Sequence, residues 1–258
     1  MANSKSLSID SNMSALTTAS NYQFSAVNID ELGAAEYTLV TIAVDISSSV
    51  SSFKDELERC LEIIVDACQK SPRSENIMVR IVTFNSRLDE IHGFKPLADI
   101  VISDYKGTLY PSGMTALCDG VQSSVEATQN YGKTLVDQDY QVNGIVYVIT
   151  DGMENASAAT PNTVKQAIQT EALDDLTVVL IGLTSSGSSN TQSRQLQNQY
   201  LDGFKHDCDI NQYVDVGDAN ASSLAKLGKM ISQSISSTST SLAQGQNASQ
   251  STSSLLSF

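Results

Sequence analysis

Basic residues are scarce in this 258-residue sequence, where 15 lysines and arginines stand against 29 acids and give a formal net charge of −14. Proteins that bind nucleic acid or anionic membrane surfaces present basic patches to them. The composition therefore argues against both kinds of partner. No apolar run approaches the ~20 residues of a membrane-spanning helix, and residues 1–20 lack the apolar segment of a signal peptide. These two absences predict a cytoplasmic protein.

Cysteine and histidine are also rare, with four and two residues. The cysteines are too dispersed for a disulfide scaffold, and without a CxxC pair a zinc site is not indicated. We therefore expect buried free thiols. His92 and His206 lie near no plausible nucleophile, so we interpret both as surface or loop residues. The four cysteines are Cys60, Cys68, Cys118 and Cys208.

Apolar runs and amphipathic segments alternate along the middle of the chain. The apolar runs predict buried strands, a short run at 88–94 predicts an antiparallel hairpin partner, and apolar residues at helical spacing predict helices between the strands. This alternation predicts an α/β fold of Rossmann-like type: a doubly wound, mostly parallel six-stranded sheet with one antiparallel edge strand and helices on both faces. The predicted strands are 37–44, 77–84, 88–94, 144–149, 176–183 and 212–216, and the predicted helices are 52–70, 115–129, 161–172, 188–204 and 219–235.

The composition divides the chain into three parts. Residues 1–36 are predicted to form a polar, loose N-terminal arm, in which alternating apolar residues at 22–26 could add an edge strand. Residues 37–236 are predicted to form the α/β domain. Residues 237–258, rich in Ser, Thr and Gln, are predicted to be disordered. Residues 131–143 are interpreted as a loop.

Two of the predicted central strands end in an aspartate. Asp45 follows the run at 37–44, and Asp151 follows the run at 144–149. In an open α/β sheet, ligands bind outside the carboxyl ends of the strands, where the strand order reverses. If the sheet winds outward one way and then restarts beside its first strand, the two aspartates face each other. Ser47, Ser49 and Thr115 fall at the same edge.

The predicted site therefore holds two carboxylates and three hydroxyls, on Asp45, Ser47, Ser49, Thr115 and Asp151. An all-oxygen set with few charges suits Mg²⁺ or Mn²⁺ rather than a softer metal. Such a set leaves one coordination position open and the metal's charge incompletely neutralised, and a carboxylate from another molecule would meet both needs. The alternative is that these polar residues cap helices, for which Ser49, Ser51 or Ser52 is a candidate N-cap.

The order and spacing of these stretches resemble the metal-ion-dependent adhesion site of von Willebrand factor type A (vWA) domains. The resemblance rests on Asp45-x-Ser47-x-Ser49, Gly113-x-Thr115 and Thr150-Asp151-Gly152, and it covers about residues 37–236. It implies that the three hydroxyls bind the metal directly and that the two aspartates often act through water. Ser48 stands at a variable position where the family often has glycine.

The leading hypothesis is a non-enzymatic interaction module, acting as an intracellular assembly or accessory subunit. It would bind Mg²⁺ (or Mn²⁺) and through the metal hold an Asp or Glu of a partner protein. The alternative is a metal-dependent hydrolase that uses the same cation to activate water. That reaction needs a general base near the metal, and Glu154 is the candidate.

Overall fold

The computed structural model describes residues 12–170, 172–185 and 191–245. Eight strands and five α-helices make up the described chain, together with five short 3-10 turns. The strands are β1 (Met13–Thr17), β2 (Gln23–Val27), β3 (Glu36–Asp45), β4 (Ile77–Phe84), β5 (Leu88–Pro96), β6 (Gln141–Thr150), β7 (Leu176–Ser185) and β8 (Gln212–Ala219). The helices are α1 (Lys54–Gln69), α2 (Leu117–Val136), α3 (Pro161–Ile168), α4 (Thr191–Cys208) and α5 (Ala221–Ala243).

The strands form one sheet in the order β1-β2-β5-β4-β3-β6-β7-β8. The pairs from β4 through β3, β6 and β7 to β8 are parallel, and β4 pairs with β5 antiparallel. The chain thus winds outward from β3 to β4, returns to the other side of β3, and continues through β6 to β8. The predicted α/β class and mostly parallel sheet are confirmed, but the predicted six strands are wrong, because the sheet has eight.

The two additional strands come from the segment predicted to be a loose arm. β1 and β2 form an antiparallel hairpin, and β2 pairs in parallel with β5 at Ala26 and Phe94. The strand predicted at 88–94 is antiparallel to β4, as expected, but its predicted edge position is wrong: β5 is internal, because β2 pairs with its other side, and β1 takes the edge. The predicted looseness is wrong for residues 13–17. The strand proposed at 22–26 is confirmed as β2, but its expected edge position is wrong, because β1 lies outside it. Residues 1–11 lie outside the described part of the chain.

Both sides of the central strand β3 pack against helices, and its residues from Tyr37 to Asp45 are all buried. Val40, Ile42 and Val44 share a core with α1 and α5, whereas Ala43 belongs to a second core with α2, α3 and α4. Alternate residues of a strand point to opposite faces. The two helix groups therefore approach the sheet from different sides, which explains the unbroken apolar run of β3.

Two helices extend further than their patterns predicted. α2 runs to Val136 and β6 begins at Gln141, so the loop expected at 131–143 shrinks to a few residues. α5 continues to Ala243, and Thr238, Ser239 and Ser241 are buried within it. Disorder from residue 237 is thus wrong for residues 237–243, and residues 246–258 lie outside the described chain. A segment rich in serine and threonine predicts disorder because these residues are polar, but here one face of the helix buries several of them.

Within the described residues, no helix combines the length and hydropathy needed to cross a bilayer.

Candidate functional site

The predicted neighbours β3 and β6 lie side by side at the centre of the sheet. β3 pairs in parallel with β4 on one side and with β6 on the other, so the strand order reverses beside it. Asp45 is the last residue of β3, and Asp151 directly follows β6. The carboxyl ends of the two strands therefore bring both aspartates to one edge, as the sequence predicted.

Asp45 is fixed at the bottom of this site and is only 1% exposed. Its Oδ1 accepts a hydrogen bond of 2.7 Å from the backbone N–H of Ser47, and its Oδ2 accepts one of 2.6 Å from the hydroxyl of Thr150. Burial raises the pKa of Asp45 to about 6, these two donors oppose the rise, and the charge of Asp151 adds to it. A cation placed here would offset the cost of burying this charge.

Two serine hydroxyls connect the aspartates. The Oγ atoms of Ser47 and Ser49 are 3.0 Å apart, and Ser49 donates a 2.7 Å hydrogen bond to Oδ1 of Asp151. Ser47 is buried, whereas Ser49 is exposed. Because the two serines are two residues apart at a strand end, their hydroxyls reach the same place. The hydrogen-bonded residues Asp45, Ser47 and Ser49 therefore extend from a buried carboxylate to the protein surface.

Thr115 approaches from the loop before α2. Its backbone N–H donates a 2.8 Å hydrogen bond to Oδ1 of Asn155, whose own N–H donates to the Thr115 carbonyl at 3.0 Å. A Cβ built on Gly152 would lie 2.8 Å from Oγ1 of Thr115 and 3.6 Å from Oδ2 of Asp45. The threonine hydroxyl and the buried carboxylate therefore both face the small space beside Gly152.

Backbone hydrogen bonds hold the loops of this site together. Ser112 donates to the Ile46 carbonyl at 2.8 Å, and the Ser48 N–H donates to the Gly113 carbonyl at 3.2 Å. Gly113 has a φ of +74°, a left-handed conformation that glycine adopts without strain. The loops are therefore positioned by main-chain contacts, which leaves the serine and threonine hydroxyls available as ligands.

The donor set fits a hard divalent cation. Neighbouring ligands of an octahedral Mg²⁺ with bonds of about 2.1 Å lie roughly 3 Å apart. The Ser47–Ser49 and Ser49–Asp151 oxygens are 3.0 and 2.7 Å apart. No group of three or more His, Cys, Asp or Glu side chains among the described residues could hold a metal. A cation at this edge would accordingly depend on the hydroxyls.

The helix-capping alternative does not account for these hydroxyls. The N-cap of α1 is Phe53 and that of α2 is Ala116, and neither helix has a side-chain cap from its N-cap residue. Ser47 stands at the N-cap of a 3-10 turn, also without a capping hydrogen bond, and Ser51 donates to the Ser48 carbonyl instead. The hydroxyls of Ser47 and Ser49 face each other and the Asp151 carboxylate.

Glu154, the candidate general base, is occupied by hydrogen bonds. Its carboxylate accepts from the backbone N–H groups of Cys118, Ala156 and Ser157 and from the Ser157 hydroxyl, at 2.6–2.8 Å. Burial raises the pKa of Glu154, but these donors lower it more, and the net pKa lies below its usual value. Glu154 thus stabilises the N-terminus of α2. Such a carboxylate is a poor proton acceptor.

Three residues outside the predicted ligand set support the site. Thr150 donates to Asp45, Asn155 pairs with Thr115, and the side-chain amide of Gln197 donates to the Asp151 carbonyl at 2.7 Å. The position of Thr150 beside Asp151 was a usable signal. Gln197 lies on α4, 46 residues away along the chain, and nothing in its sequence context indicates the contact.

Comparison with known proteins finds the fold but no close relative. No family model matches the chain, and no curated protein matches it. Solved structures of the PilB minor pilin from Streptococcus sanguinis are similar, with TM-scores of 0.59 for a point mutant and 0.55 for PilB itself. Their sequences are 14% and 15% identical to this chain, of which 84% and 81% are covered.

The pilus adhesin SpaC from Lactobacillus rhamnosus GG, in its open conformation, is similar with a TM-score of 0.53 and 12% identity over 83% of this chain. The matched region spans 65% and 64% of the two PilB chains and 31% of the SpaC chain. At these identities the likeness establishes the fold alone. Together with the strand order, it supports the predicted doubly wound, mostly parallel α/β fold.

Proposed function

We propose that this chain is a non-enzymatic protein-interaction module that binds a divalent cation and uses it to hold an acidic residue of a partner protein. The observation that carries the proposal is the meeting of the predicted oxygen ligands at the reversal of strand order, where Ser49 connects Ser47 to Asp151. The proposed ligands are Asp45, Ser47, Ser49, Thr115 and Asp151, and the proposed cation is Mg²⁺ or Mn²⁺.

The chemistry of this set favours an acid from outside. The cation supplies positive charge and an open coordination position when it is bound. The three neutral hydroxyls compensate little of that charge, so a partner carboxylate gains both a bond and a counter-charge. Thr150 and the N–H of Ser47 orient the Asp45 carboxylate, which limits its reorganisation on binding.

The setting of the module is part of the proposal. The pilin and adhesin neighbours are compatible with an interaction role, as far as a shared fold goes. The chain's acidity supports a protein partner rather than nucleic acid or an anionic membrane surface. All four cysteines are buried free thiols, which supports the proposed cytoplasmic location and a role as an accessory or assembly subunit.

Titration calorimetry with Mn²⁺ and with Mg²⁺ tests the metal site directly. We expect one cation per chain, and loss of binding in Asp45→Ala and in Asp151→Ala. Asp99→Ala, which removes an exposed carboxylate from a 3-10 turn, is the matched control and should bind as the wild type does. Equal binding by the wild type and Asp45→Ala would refute the proposed site.

The hydrolase alternative makes a different prediction for Glu154. If Glu154 caps α2 and does no chemistry, Glu154→Gln lowers thermal stability and leaves cation binding in place. A cation-dependent turnover of phosphoesters by the wild type that disappears in Glu154→Gln would instead favour the hydrolase. The four hydrogen bonds that this carboxylate accepts support the capping role.

A further inference from the structure

Several exposed apolar side chains belong to the loops that form the candidate cation site. Six large hydrophobic residues are exposed among the described residues, and three of them belong to the loops that form the site. Met114, 54% exposed, precedes the ligand Thr115, and Met153, 49% exposed, follows Gly152. Tyr110, 72% exposed, belongs to the same loop as Met114.

A fourth exposed residue, Leu196, belongs to the neighbouring helix α4. Leu196 is 57% exposed, whereas Leu201 on the same helix is fully buried. The next residue, Gln197, donates to the Asp151 carbonyl. One turn further along α4, the Tyr200 hydroxyl accepts a 3.2 Å hydrogen bond from the Glu154 N–H. Leu196 thus borders the loop that carries Met153.

The loops that carry these side chains are bonded to one another. Thr115 and Asn155 exchange two hydrogen bonds, which connect the loop of Met114 to that of Met153. The Gly113 carbonyl accepts from Ser48, so the serine loop joins the same unit. We call Tyr110, Met114, Met153 and Leu196 the apolar rim. Its members lie on the segments that carry Thr115 and Asp151 or, for Leu196, next to Gln197, which donates to the Asp151 carbonyl.

The site loops contain no basic residue. Across residues 46–53, 109–116 and 151–160 the charged side chains are those of Asp151 and Glu154, both acids. The chain as a whole carries a formal charge of −14. The nearest basic residues flank these loops: Lys54 follows residue 53 and interacts with Tyr110, and Arg87 follows Ser86, whose hydroxyl accepts a hydrogen bond from the Met114 N–H. Among the loop residues themselves, no cationic side chain competes with the cation for a carboxylate. A second acid beside the first would meet apolar side chains and a negative field.

We propose that the partner presents a single acidic residue flanked by apolar side chains, which pack on the rim of Tyr110, Met114, Met153 and Leu196 while the acid reaches the cation. This inference rests on the proposed function and specifies the chemistry of its ligand. Methionine side chains adapt their shape to a partner's surface, so Met114 and Met153 suit this role. Removal of the exposed apolar surface from water supplies affinity that a lone acid lacks.

Fluorescence polarisation with labelled heptapeptides tests the inference on the full-length chain in Mn²⁺. Each peptide has a central aspartate with two identical residues on each side. These four flanking residues are all leucine, all serine, all glutamate or all lysine. We expect the leucine-flanked peptide to bind about tenfold more tightly than the serine-flanked one, which burial of roughly 60 Å² of apolar surface would supply. The glutamate-flanked peptide should be the weakest, and an asparagine at the centre should abolish binding.

Rim variants separate the inference from the proposed function. The double variant Met114→Gln/Met153→Gln should keep its Mn²⁺ affinity by calorimetry and lose most of the preference for leucine over serine. Val136→Thr is the control. Val136 is 44% exposed, but it lies at the C-terminal end of α2, and the site borders the N-terminal end of that helix. This variant should retain the preference.

The outcomes are distinguishable. Mn²⁺ binding that survives Asp45→Ala refutes the cation site itself. Intact cation binding with equal affinity for leucine- and serine-flanked peptides, or with tightest binding of the lysine- or glutamate-flanked peptide, overturns the apolar-rim inference alone. Intact cation binding without binding of any aspartate peptide overturns the proposed capture of an acid as well. A preference for leucine that persists unchanged in the double methionine variant also overturns it.

Discussion

Glycine at position 152 keeps the space between the candidate ligands open. A Cβ at this position would approach Oγ1 of Thr115 to 2.8 Å and Oδ2 of Asp45 to 3.6 Å. Contacts under 3.0 Å force a shift of the neighbouring group, and here that group is a proposed ligand. At the residue scale, the site thus depends on a missing side chain as well as on the oxygens that surround it.

Gly152→Ala should therefore weaken cation binding by about tenfold or more, equivalent to at least ~1.4 kcal/mol, while the fold persists. Titration calorimetry with Mn²⁺ measures the affinity, and circular dichroism checks the fold. Gly33→Ala is the matched control, because a Cβ at Gly33 meets no atom within 4 Å. If both variants bind Mn²⁺ as the wild type does, Gly152 does not border the cation.

His92 shows how a residue interpreted as a surface histidine can instead be held by the fold. It lies on β5, where Nδ1 bonds the Gly93 carbonyl at 2.9 Å and Nε2 bonds the Tyr105 hydroxyl at 2.8 Å. With the proton on Nδ1, Nε2 accepts from the tyrosine. Burial lowers the pKa of His92 to about 4, the Gly93 contact opposes this, and the charges of Lys95 and Arg80 lower it further.

This shift makes stability depend on pH. The unfolded chain binds a proton at His92 near pH 6.5, whereas the folded chain resists protonation down to about pH 4. Stability from neutral His92 is thus present above pH 6.5 and is lost as the pH falls to 4. We expect wild type to lose about 1–3 kcal/mol relative to His92→Asn across this window, measured by urea unfolding. Parallel stability curves for the two proteins would contradict this.

At the element scale, the N-terminal hairpin is attached to the sheet through a buried ion pair. Nε of Arg80 on β4 lies 2.5 Å from Oε1 of Glu90 on β5, and the two side chains are 1% and 7% exposed. Oε2 of Glu90 accepts hydrogen bonds from the N–H and hydroxyl of Ser25 on β2, at 3.0 and 2.8 Å. One carboxylate therefore connects three strands, although β2 and β5 have only one ladder pair, Ala26 with Phe94.

Glu90→Gln should cost about 3–5 kcal/mol, because it leaves the Arg80 charge buried without its counter-charge. Urea unfolding measures this loss, and hydrogen exchange should show faster exchange for the amides of β2 than in the wild type. Asp137→Asn is the control, because its pair with Lys133 is more than half exposed and should contribute under about 1 kcal/mol. Equal effects of the two changes would show that the buried pair does not hold the hairpin.

At the scale of the whole molecule, the folded unit exceeds the predicted 37–236 domain at both ends. β1 and β2 precede residue 37 and join the sheet, and α5 passes residue 236 by seven residues while burying Thr238 and Ser239. Whether the predicted arm, domain and tail fold independently of one another stays a prediction. Truncation can test it at the C-terminus.

A chain that ends at residue 236 should be less stable than one that ends at residue 245. The shorter chain lacks the last two turns of α5 and exposes the sheet surface under Thr238, whose carbonyl accepts from the buried Asn143 amide. An unsatisfied buried amide and the lost packing predict a cost of about 1–3 kcal/mol, read from thermal unfolding. Identical melting temperatures would support the original boundary at 236.

The amino-acid sequence by itself determined the local features of this protein. The apolar run of β3 marked a strand packed on both faces, the helical spacing in residues 52–70 marked α1, and the acid, serines and threonine at strand and helix ends marked the candidate ligands. These predictions depend on neighbours within a few residues, where side-chain periodicity reflects which face is buried. The expectations drawn from net charge and cysteine content likewise needed only the composition.

Only the tertiary structure decided which of these features meet. The N-terminal hairpin joins the sheet because Glu90 and Phe94, more than 60 residues away, contact Ser25 and Ala26 of β2, and β1 pairs with β2. Glu154 became a helix cap and Leu196 part of an exposed rim because of loops and helices distant in sequence. Such contacts depend on which strands and helices become neighbours in the folded chain. Patterns within a few residues do not specify those neighbours.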